Sequence, residues 1–228
     1  MLQLFTKNYK VRPDCQISNL NHIYKNIFGY KRDGSFVEVG AYDGERWSNT
    51  SFLADIGWNG IYIEPVNEFF LKCKTRHIKN GNTRVLNFAI GEEEKEVEIF
   101  VAQGLSTILK NQKEFYEKSE FSKHVKFSST EMCTQKRLDT VLNDNHISPG
   151  FDLLVVDTEG YEIQVFNSFD LNFWRPRLLI VELPDKNEHF ADFKEFVEES
   201  KNLRKKILEN SYEIVYEDEI NTVFKSLI

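Results

Sequence analysis

The mostly apolar run at residues 36–39 and the turn after it combine glycines with acids, and both kinds of residue could contact a ligand. They are Glu38, Gly40, Asp43, Gly44 and Glu45. Because a glycine has no Cβ, a ligand can lie directly against its backbone. Three carboxylates repel a diphosphate but attract a cation, such as a sulfonium that also carries an ammonium group. The turn also lacks both common phosphate-binding patterns, G-x-G-x-x-G and G-x-x-x-x-G-K-[ST]. It therefore predicts a site for a cationic ligand, with an ordinary turn of solvated acids as the alternative.

A second group of acids follows the apolar residues 153–156. Asp157 and Glu159 come after that run, and Glu182 ends another apolar run. Acids beside buried strand ends cost free energy unless they bind donors, cations or a metal, so the group predicts a site.

Apolar runs that alternate with helical patterns predict a doubly wound α/β sheet, in which ligands bind at the carboxyl ends of the strands. Glu64 ends the second predicted strand, near the offset at which such folds place a ribose-binding carboxylate. Pro65 ends that strand. In a third strand predicted over residues 84–91, Asn87 and Ala89 are candidates to line an adenine pocket. A buried Asn87 that bonds to the backbone is the alternative.

The regions around this sheet give further expectations. Residues 45–54 predict a helix that starts directly after the first turn, and residues 31–228 predict one ligand-binding domain. Residues 1–30 predict an N-terminal helical arm, with Asp14 or Ser18 as the helix cap. The apolar face of the arm is expected to pack on the domain, and a homodimer contact is the alternative.

Residues 103–129 are the least regular part of the chain and predict a lid over the substrate. Their lysines indicate either a solvated helix face or contact with an acidic or sugar substrate. At the other end of the chain, residues 212–216 and 222–225 alternate polar and apolar side chains and predict a terminal antiparallel hairpin.

Composition limits the class of protein. The 228-residue chain is 41% hydrophobic, which supports a substantial core. Its formal charge of −7 argues against general nucleic-acid binding and membrane-surface binding. Three widely spaced cysteines without a C-x-x-C pair indicate reduced thiols, as expected of a cytoplasmic protein, and argue against a zinc site. No stretch is apolar enough to predict membrane insertion.

Six motifs in the right order resemble those of the FkbM-type methyltransferases. They are Phe36-Val37-Glu38-Val39-Gly40-Ala41-Tyr42-Asp43-Gly44, Ile63-Glu64-Pro65, Asn87-Phe88-Ala89-Ile90-Gly91, Arg137-Leu138-Asp139, Asp157-Thr158-Glu159-Gly160-Tyr161-Glu162 and Arg177-Leu178-Leu179-Ile180-Val181-Glu182. The resemblance runs from about Phe36 to Phe224. Glu38 stands where the family usually has Asp, which preserves the charge, and Tyr42 stands where a small polar residue is common.

The resemblance implies a class I, Rossmann-like methyltransferase fold, with a mostly parallel seven-stranded sheet and an antiparallel C-terminal strand. It implies S-adenosylmethionine as the cofactor and O-methylation of a hydroxyl on a sugar, glycan or small natural product. The residues implied to bind the cofactor are Glu38, Gly40, Ala41, Asp43, Gly44, Glu64, Pro65, Asn87, Ala89 and Asp157. The implied catalytic acids are Asp157, Glu159 and Glu182. The alternatives are a non-catalytic Rossmann-like binding module and an NAD-linked enzyme.

If the nucleophile is a hydroxyl group, as the family resemblance implies, one of the three implied catalytic acids could be its general base, and Asp157 is the first candidate. Alternatively, Asp157 and Glu182 could ligate Mg²⁺ through oxygen. The sequence leaves both routes open. His77, His124 and His189, three of the five histidines, lie outside the motifs and are expected on the surface.

Overall fold

A computed structural model describes residues 15–228. Its strands are β1 Ser35–Val39, β2 Asn59–Ile63, β3 Thr83–Leu86, β4 Ala89–Ile90, β5 Lys95–Val101, β6 Ser129–Lys136, β7 Leu153–Val156, β8 Leu178–Glu182, β9 Tyr212–Glu217 and β10 Asn221–Ser226. Its α-helices are α1 Leu20–Phe28, α2 Ser51–Asp55, α3 Asn67–Arg76, α4 Lys110–Lys118, α5 Leu138–Asp144, α6 Glu162–Asn167, α7 Leu171–Trp174 and α8 Lys194–Glu209. None of the helices in this part of the chain is long and apolar enough to cross a membrane.

Seven strands form one sheet in the order β3-β2-β1-β7-β8-β10-β9. The neighbouring pairs from β3 to β8 are parallel, whereas β10 runs antiparallel to both β8 and β9. The chain builds outward from β1 to β3 and then returns to place β7 on the other side of β1. Ligands of doubly wound sheets bind where the strand order reverses in this way. The predicted fold, including the antiparallel last strand and the terminal hairpin, is confirmed.

Side chains of alternating strand residues point to opposite faces of the sheet, and each face has its own core. On one face, Val37, Ile61 and Leu154 pack with residues of α5, α6 and α8. On the other face, Phe36 and Tyr62 pack with residues of α1 and α2. Because both faces are covered, β1 and β7 are continuously apolar apart from Ser35 and Glu38, and the carboxyl edge of the sheet is left to form a site.

The predicted third strand is wrong in extent, because residues 84–91 divide between two sheets. The main sheet takes β3, and β4 pairs with β6 in a separate sheet of order β4-β6-β5. Between them, the Asn87 side chain donates to the carbonyl oxygens of Glu64 at 2.9 Å and Pro65 at 3.0 Å. These bonds satisfy carbonyl groups at the end of β2 and hold the chain where it leaves the main sheet.

The helix predicted over residues 45–54 is also wrong in extent, since α2 begins only at Ser51. The carboxylate of Asp43 accepts hydrogen bonds from the backbone of Glu45 at 3.0 Å and of Arg46 at 2.8 Å, which makes a turn. Trp47 then takes a left-handed conformation with φ of 61°, which a helix cannot contain. No helix N-terminus therefore follows the first glycine turn.

The N-terminal arm packs on the domain through α1. Leu20, Tyr24 and Phe28 are buried against Phe52 and Trp58, as predicted for this apolar face. The Tyr24 hydroxyl donates to the carbonyl oxygen of Asn49 at 3.0 Å. Asp14, one of the two predicted helix caps, lies outside the described residues. The other, Ser18, does not cap the helix, because the N-cap position is occupied by Asn19.

Candidate functional site

A cavity of about 320 Å³ lies at the carboxyl ends of β1, β2, β7 and β8. This volume falls at the lower end of the range for small-molecule sites, roughly 300–1,000 Å³. Five carboxylates line it: Glu38, Glu64, Asp157, Glu159 and Glu182. Of the other residues implied to bind the cofactor, Gly40, Ala41, Pro65 and Ala89 also line it. The cavity is therefore rich in acids, at the strand ends where the sequence predicts a site.

Gly40 brings the ends of β1 and β7 into close contact. Its φ is 85°, and a Cβ at this position would overlap the carbonyl oxygen of Asp157. The backbone amide of Asp157 donates to the carbonyl of Val39 at 3.0 Å. Only glycine meets both the conformational and the steric demand, so this residue fixes the distance between the two strand ends.

Glu38 is buried at 4% exposure and accepts hydrogen bonds from two hydroxyl groups. The donors are Thr50 Oγ1 and, at 3.4 Å, Ser48 Oγ. Burial, with a smaller contribution from the charge of Asp157, raises the pKa of Glu38 to about 7, although the hydroxyl donors oppose the shift. Near neutral pH this carboxyl group is therefore protonated in part of the molecules and charged in the rest.

Glu64 is fixed by backbone amides on both of its oxygens. Tyr42 N donates to Oε2 at 2.8 Å, and Val66 N donates to Oε1 at 2.9 Å. Burial raises the pKa of this carboxyl to about 8 in spite of those bonds. Each oxygen keeps a second lone pair, so Glu64 can still accept hydrogen bonds from two neighbouring hydroxyl groups.

Asp157, Glu159 and Glu182 form a cluster in which one carboxylate oxygen from each lies within 4.8 Å of the others. Burial raises the pKa of Glu159 and of Glu182 well above the usual range, and the charge of Asp157 adds to both shifts. Glu182 Oε2 is buried without a hydrogen-bond partner among the described residues. The cluster thus has raised proton affinity and an acceptor atom available to a ligand.

The loop that carries two of these acids is held from both sides. Glu162 Oε1 accepts from Thr158 N at 2.8 Å and from Thr158 Oγ1 at 2.9 Å. Glu159 has a φ of 54°, and Tyr116 of α4 donates its hydroxyl to Glu159 Oε2 at 2.7 Å. Conformations of this kind persist where surrounding contacts fix them, often at functional sites.

Three residues of the predicted set lie outside the cavity lining: Asp43, Gly44 and Asn87. The Asp43 carboxylate is engaged by the turn amides, and Gly44 lies against Cys73 and His77. Asn87 bonds to the backbone, as its alternative interpretation held, but it is exposed. Their direct contact with a cofactor remains a prediction.

Sequence reasoning missed Gln16, Tyr116 and Arg46, the first and last of which line the cavity. Gln16 Nε2 donates to Asp157 Oδ2 at 2.9 Å, and Gln16 Oε1 accepts from Asn49 Nδ2 at 3.1 Å. Gln16 and Asp157 are 141 positions apart in the sequence, and Tyr116 and Glu159 are 43 positions apart. Nothing in the local sequence signals either pairing. A signal for Arg46 was present, since it is the first cation after an acidic turn.

The surface location expected for His77 is wrong. The ring is 3% exposed, stacks on Tyr62 with centroids 4.3 Å apart, and has Nε2 2.9 Å from the carbonyl oxygen of Gly44. Burial lowers the pKa of His77 to about 4. The imidazole therefore stays neutral near pH 7 and supports the first turn from behind, outside the cavity lining.

Several solved structures resemble this fold at low identity. Fibrillarin from Aeropyrum pernix, in complex with S-adenosyl-L-methionine, is 13% identical with a TM-score of 0.46, over 85% of this chain and 66% of its own. WbdD is 11% identical with a TM-score of 0.49, over 91% of this chain and 40% of its own. A putative RNA methyltransferase from Pyrococcus horikoshii is 9% identical with a TM-score of 0.46, over 92% of this chain and 81% of its own. This chain thus spans less than two thirds of the first two proteins. At such values the likeness supports no inference about ligand or substrate.

No curated protein matches the chain significantly. The family model described as the methyltransferase FkbM domain matches residues 38–214, which is most of the chain. That range begins at Glu38 in β1 and ends in β9, so it includes all five cavity acids. The chain belongs to the FkbM methyltransferase family.

Proposed function

We propose that this protein transfers a methyl group from S-adenosylmethionine to a hydroxyl group of a sugar, a glycan or a small natural product. Membership of a methyltransferase family supports the reaction class. The observation that carries the proposal is the cluster of Asp157, Glu159 and Glu182 beside Glu38 and Gly40, because it places a proton acceptor where a cationic ligand would bind.

The lining fits the proposed cofactor, whose sulfonium supplies an electrophilic methyl group. Glu38 and Asp157 offer carboxylates to its cationic methionine part, close to the bare backbone of Gly40. Glu64 is fixed by two amides and has lone pairs left for the two ribose hydroxyls. Phe88 and Ala89 supply an apolar wall on the adenine side. A cation also relieves the cost of burying so many acids.

Asp157 is the proposed general base. Burial favours the neutral forms of Glu159 and Glu182, so these two neighbours can hold protons while Asp157 accepts one from the acceptor hydroxyl. Gln16 fixes one oxygen of Asp157. Positioning the hydroxyl in line with the methyl group supplies much of the rate in such a transfer.

A metal-assisted version uses the same residues. Asp157 and Glu182, with Glu159 beside them, offer the oxygen ligands that Mg²⁺ prefers. The ion would supply Lewis-acid activation of the hydroxyl. Removing metal with EDTA separates the two versions, because only the metal-assisted enzyme should lose activity and recover it with Mg²⁺.

An NAD-linked enzyme is the less supported alternative, because the cavity acids that stay charged would repel a diphosphate and the first turn lacks the G-x-G-x-x-G pattern. A non-catalytic binding module has no specific observation in its favour. We further propose a cytoplasmic setting, since Cys73 and Cys133 are free thiols. A homodimer is a further proposal. So is a lid formed by residues 103–129.

The test is transfer of a labelled methyl group from S-adenosylmethionine to a panel of hydroxylated glycans and natural products. Turnover by the wild type should fall about 10²- to 10⁴-fold in Asp157→Asn, as for loss of a general base. Cofactor affinity should fall much less than turnover, because Glu38 keeps a carboxyl group beside the cationic part of the cofactor. The exposed Asp144 on α5 provides the control Asp144→Asn, which should keep wild-type turnover. Near-normal turnover in Asp157→Asn would move the base to Glu159 or Glu182.

A further inference from the structure

The charged side chains that line the cavity are unequal in sign. Five are carboxylates, and Arg46 is the one cation among the described lining residues. Burial favours the neutral form of several of these acids, but those that stay charged repel an anionic group. Arg46 is the one described lining side chain whose charge attracts it. S-adenosylmethionine itself carries a carboxylate beside its cationic groups. The proposed function therefore requires a group in the cavity that binds this carboxylate.

Arg46 forms no ion pair with any residue in the described range 15–228. Arg76, which lies nearby in α3, is the opposite case, because it pairs with both Glu45 and Asp55. The guanidinium of Arg46 is thus left available at the rim of an acidic cavity that contains no other cation among its described residues.

Arg46 is nevertheless held in place by aromatic stacking. Its Cζ lies 4.1 Å from the centroid of the Trp47 ring. Trp47 in turn stacks on Tyr42 at 6.2 Å and 23°, and its ring is close enough to Gly104 that a Cβ there would clash with it. This contact engages the guanidinium through its carbon and makes no hydrogen bond, so its N–H groups remain for bidentate binding of a carboxylate.

We propose that Arg46 binds a carboxylate of a molecule held in this cavity. The inference rests on the proposed function. It adds the residue that binds the negative charge of the cofactor or the acceptor. The carboxylate has two possible sources, the methionine part of the cofactor or an acidic acceptor such as a uronic acid. Trp47 is a positioning residue that orients the guanidinium.

The first arm of the test compares S-adenosylmethionine with its decarboxylated form, which keeps the sulfonium and ammonium groups. Isothermal titration gives the ratio of the two affinities in the wild type and in Arg46→Gln. If the cofactor is the source, the substitution should shift the ratio against S-adenosylmethionine by about 10- to 100-fold, as for loss of a charged hydrogen-bonded pair. Arg46→Lys should give an intermediate shift, since lysine keeps only the charge.

The second arm titrates the wild type and Arg46→Gln with glucuronate and with glucose, both ligand-free and saturated with S-adenosylhomocysteine. If the acceptor is the source, glucuronate should bind in preference to glucose, and Arg46→Gln should remove that preference. The control Arg32→Gln removes the same charge from an exposed residue outside the cavity lining and should change neither arm.

Unchanged ratios in both arms would overturn the inference and leave Arg46 as a solvated side chain stacked on Trp47. Failure of the proposed function looks different. In that case the wild type binds neither S-adenosylmethionine nor S-adenosylhomocysteine, whereas the ligand-free glucuronate titration still decides whether Arg46 binds a carboxylate.

Discussion

At the residue scale, burial decides how many of the cavity acids carry a charge. Glu38 and Glu64 have pKa values raised to about 7 and about 8, both mainly by burial. Their hydrogen-bond donors favour the charged form but do not overcome the loss of water. Near neutral pH the free protein therefore holds protons on acids of this cavity, and a bound cation would favour their release.

The raised pKa of Glu38 predicts a pH-dependent stability. A carboxyl whose pKa is about 7 when folded and near 4.5 otherwise favours the folded state below about pH 4.5, and this contribution is lost as the pH rises through about 7. Glu38→Gln imitates the neutral form, so between pH 5 and 8 its free energy of unfolding should fall less than that of the wild type. The difference should reach on the order of 3 kcal/mol.

Urea unfolding of the ligand-free proteins at several pH values measures this difference. The exposed Glu68 provides a comparison through Glu68→Gln, whose curve should follow that of the wild type. Parallel curves for Glu38→Gln and the wild type would show that Glu38 titrates normally.

Gln16 predicts a second effect at this scale, on turnover. Gln16→Met keeps the length of the side chain and removes its hydrogen bond to Asp157. Because a bond to a charged group is worth about 1.5–3 kcal/mol, we expect kcat to fall roughly tenfold or more, with little change in cofactor affinity. Asn21→Ala, on the exposed side of α1, should behave as the wild type. Equal losses of kcat, cofactor affinity and thermal stability would instead assign Gln16 a purely structural role.

The sequence indicates acids at strand ends but not their partners. Glu64, Asp157 and Glu182 follow apolar runs whose strand character is local, so their shared edge could be predicted. The bond from Gln16 to Asp157 depends on how the arm folds back over β1 and β7, and no local pattern specifies that.

At the element scale, α4 joins residues 103–129 to the acid cluster. Tyr116 donates to Glu159, and Thr107 Oγ1 donates to the carbonyl of Glu159 at 2.9 Å. Phe115 stacks on Phe193 at 4.8 Å, in an apolar group shared with the segment that leads into α8. The proposed lid thus has an anchored helix, whereas residues 103–106 lie at the cavity rim.

Hydrogen exchange tests the proposed lid. Amides within residues 103–129 should exchange fast in the free protein and more slowly with cofactor and acceptor bound. Uniform strong protection of the segment in the free protein would rule out a mobile lid.

Tyr116→Phe tests the anchor separately. The substitution removes one bond to a buried carboxyl group and should lower the free energy of unfolding by about 1–2 kcal/mol. It should also increase exchange in α4. Tyr30 is exposed, so Tyr30→Phe is the matched control and should change neither measurement. Wild-type exchange and stability in Tyr116→Phe would show that the bond to Glu159 contributes nothing.

Two element predictions failed for the same reason, which is that long-range contacts overrode local pattern. Residues 84–91 look like one strand, yet Asn87 bonds to the end of β2 and the chain divides between two sheets. Residues 45–54 look helical, yet Trp47 forms a bridge with Cys15 of the arm and takes a left-handed conformation. Such tertiary contacts leave no periodic trace in the sequence.

At the scale of the whole molecule, the fold was predictable because alternation of strands and helices leaves few topologies. Right-handed crossovers and parallel pairing place the carboxyl ends of β1, β2, β7 and β8 at one edge. The contribution of the N-terminal arm was not predictable, since Gln16 lies outside the matched range 38–214 and still reaches Asp157. The cavity therefore depends on the N-terminal arm as well as on the matched range.

The central claim is that this acidic cavity binds the cationic methyl donor. Isothermal titration of the full chain with S-adenosylmethionine, S-adenosylhomocysteine and NAD tests it most directly. We predict saturable binding of the first two at one site per chain, weakened in Glu64→Ala because the ribose loses its acceptor, and no binding of NAD. Saturable binding of NAD, with no heat from either adenosyl ligand, would contradict the account.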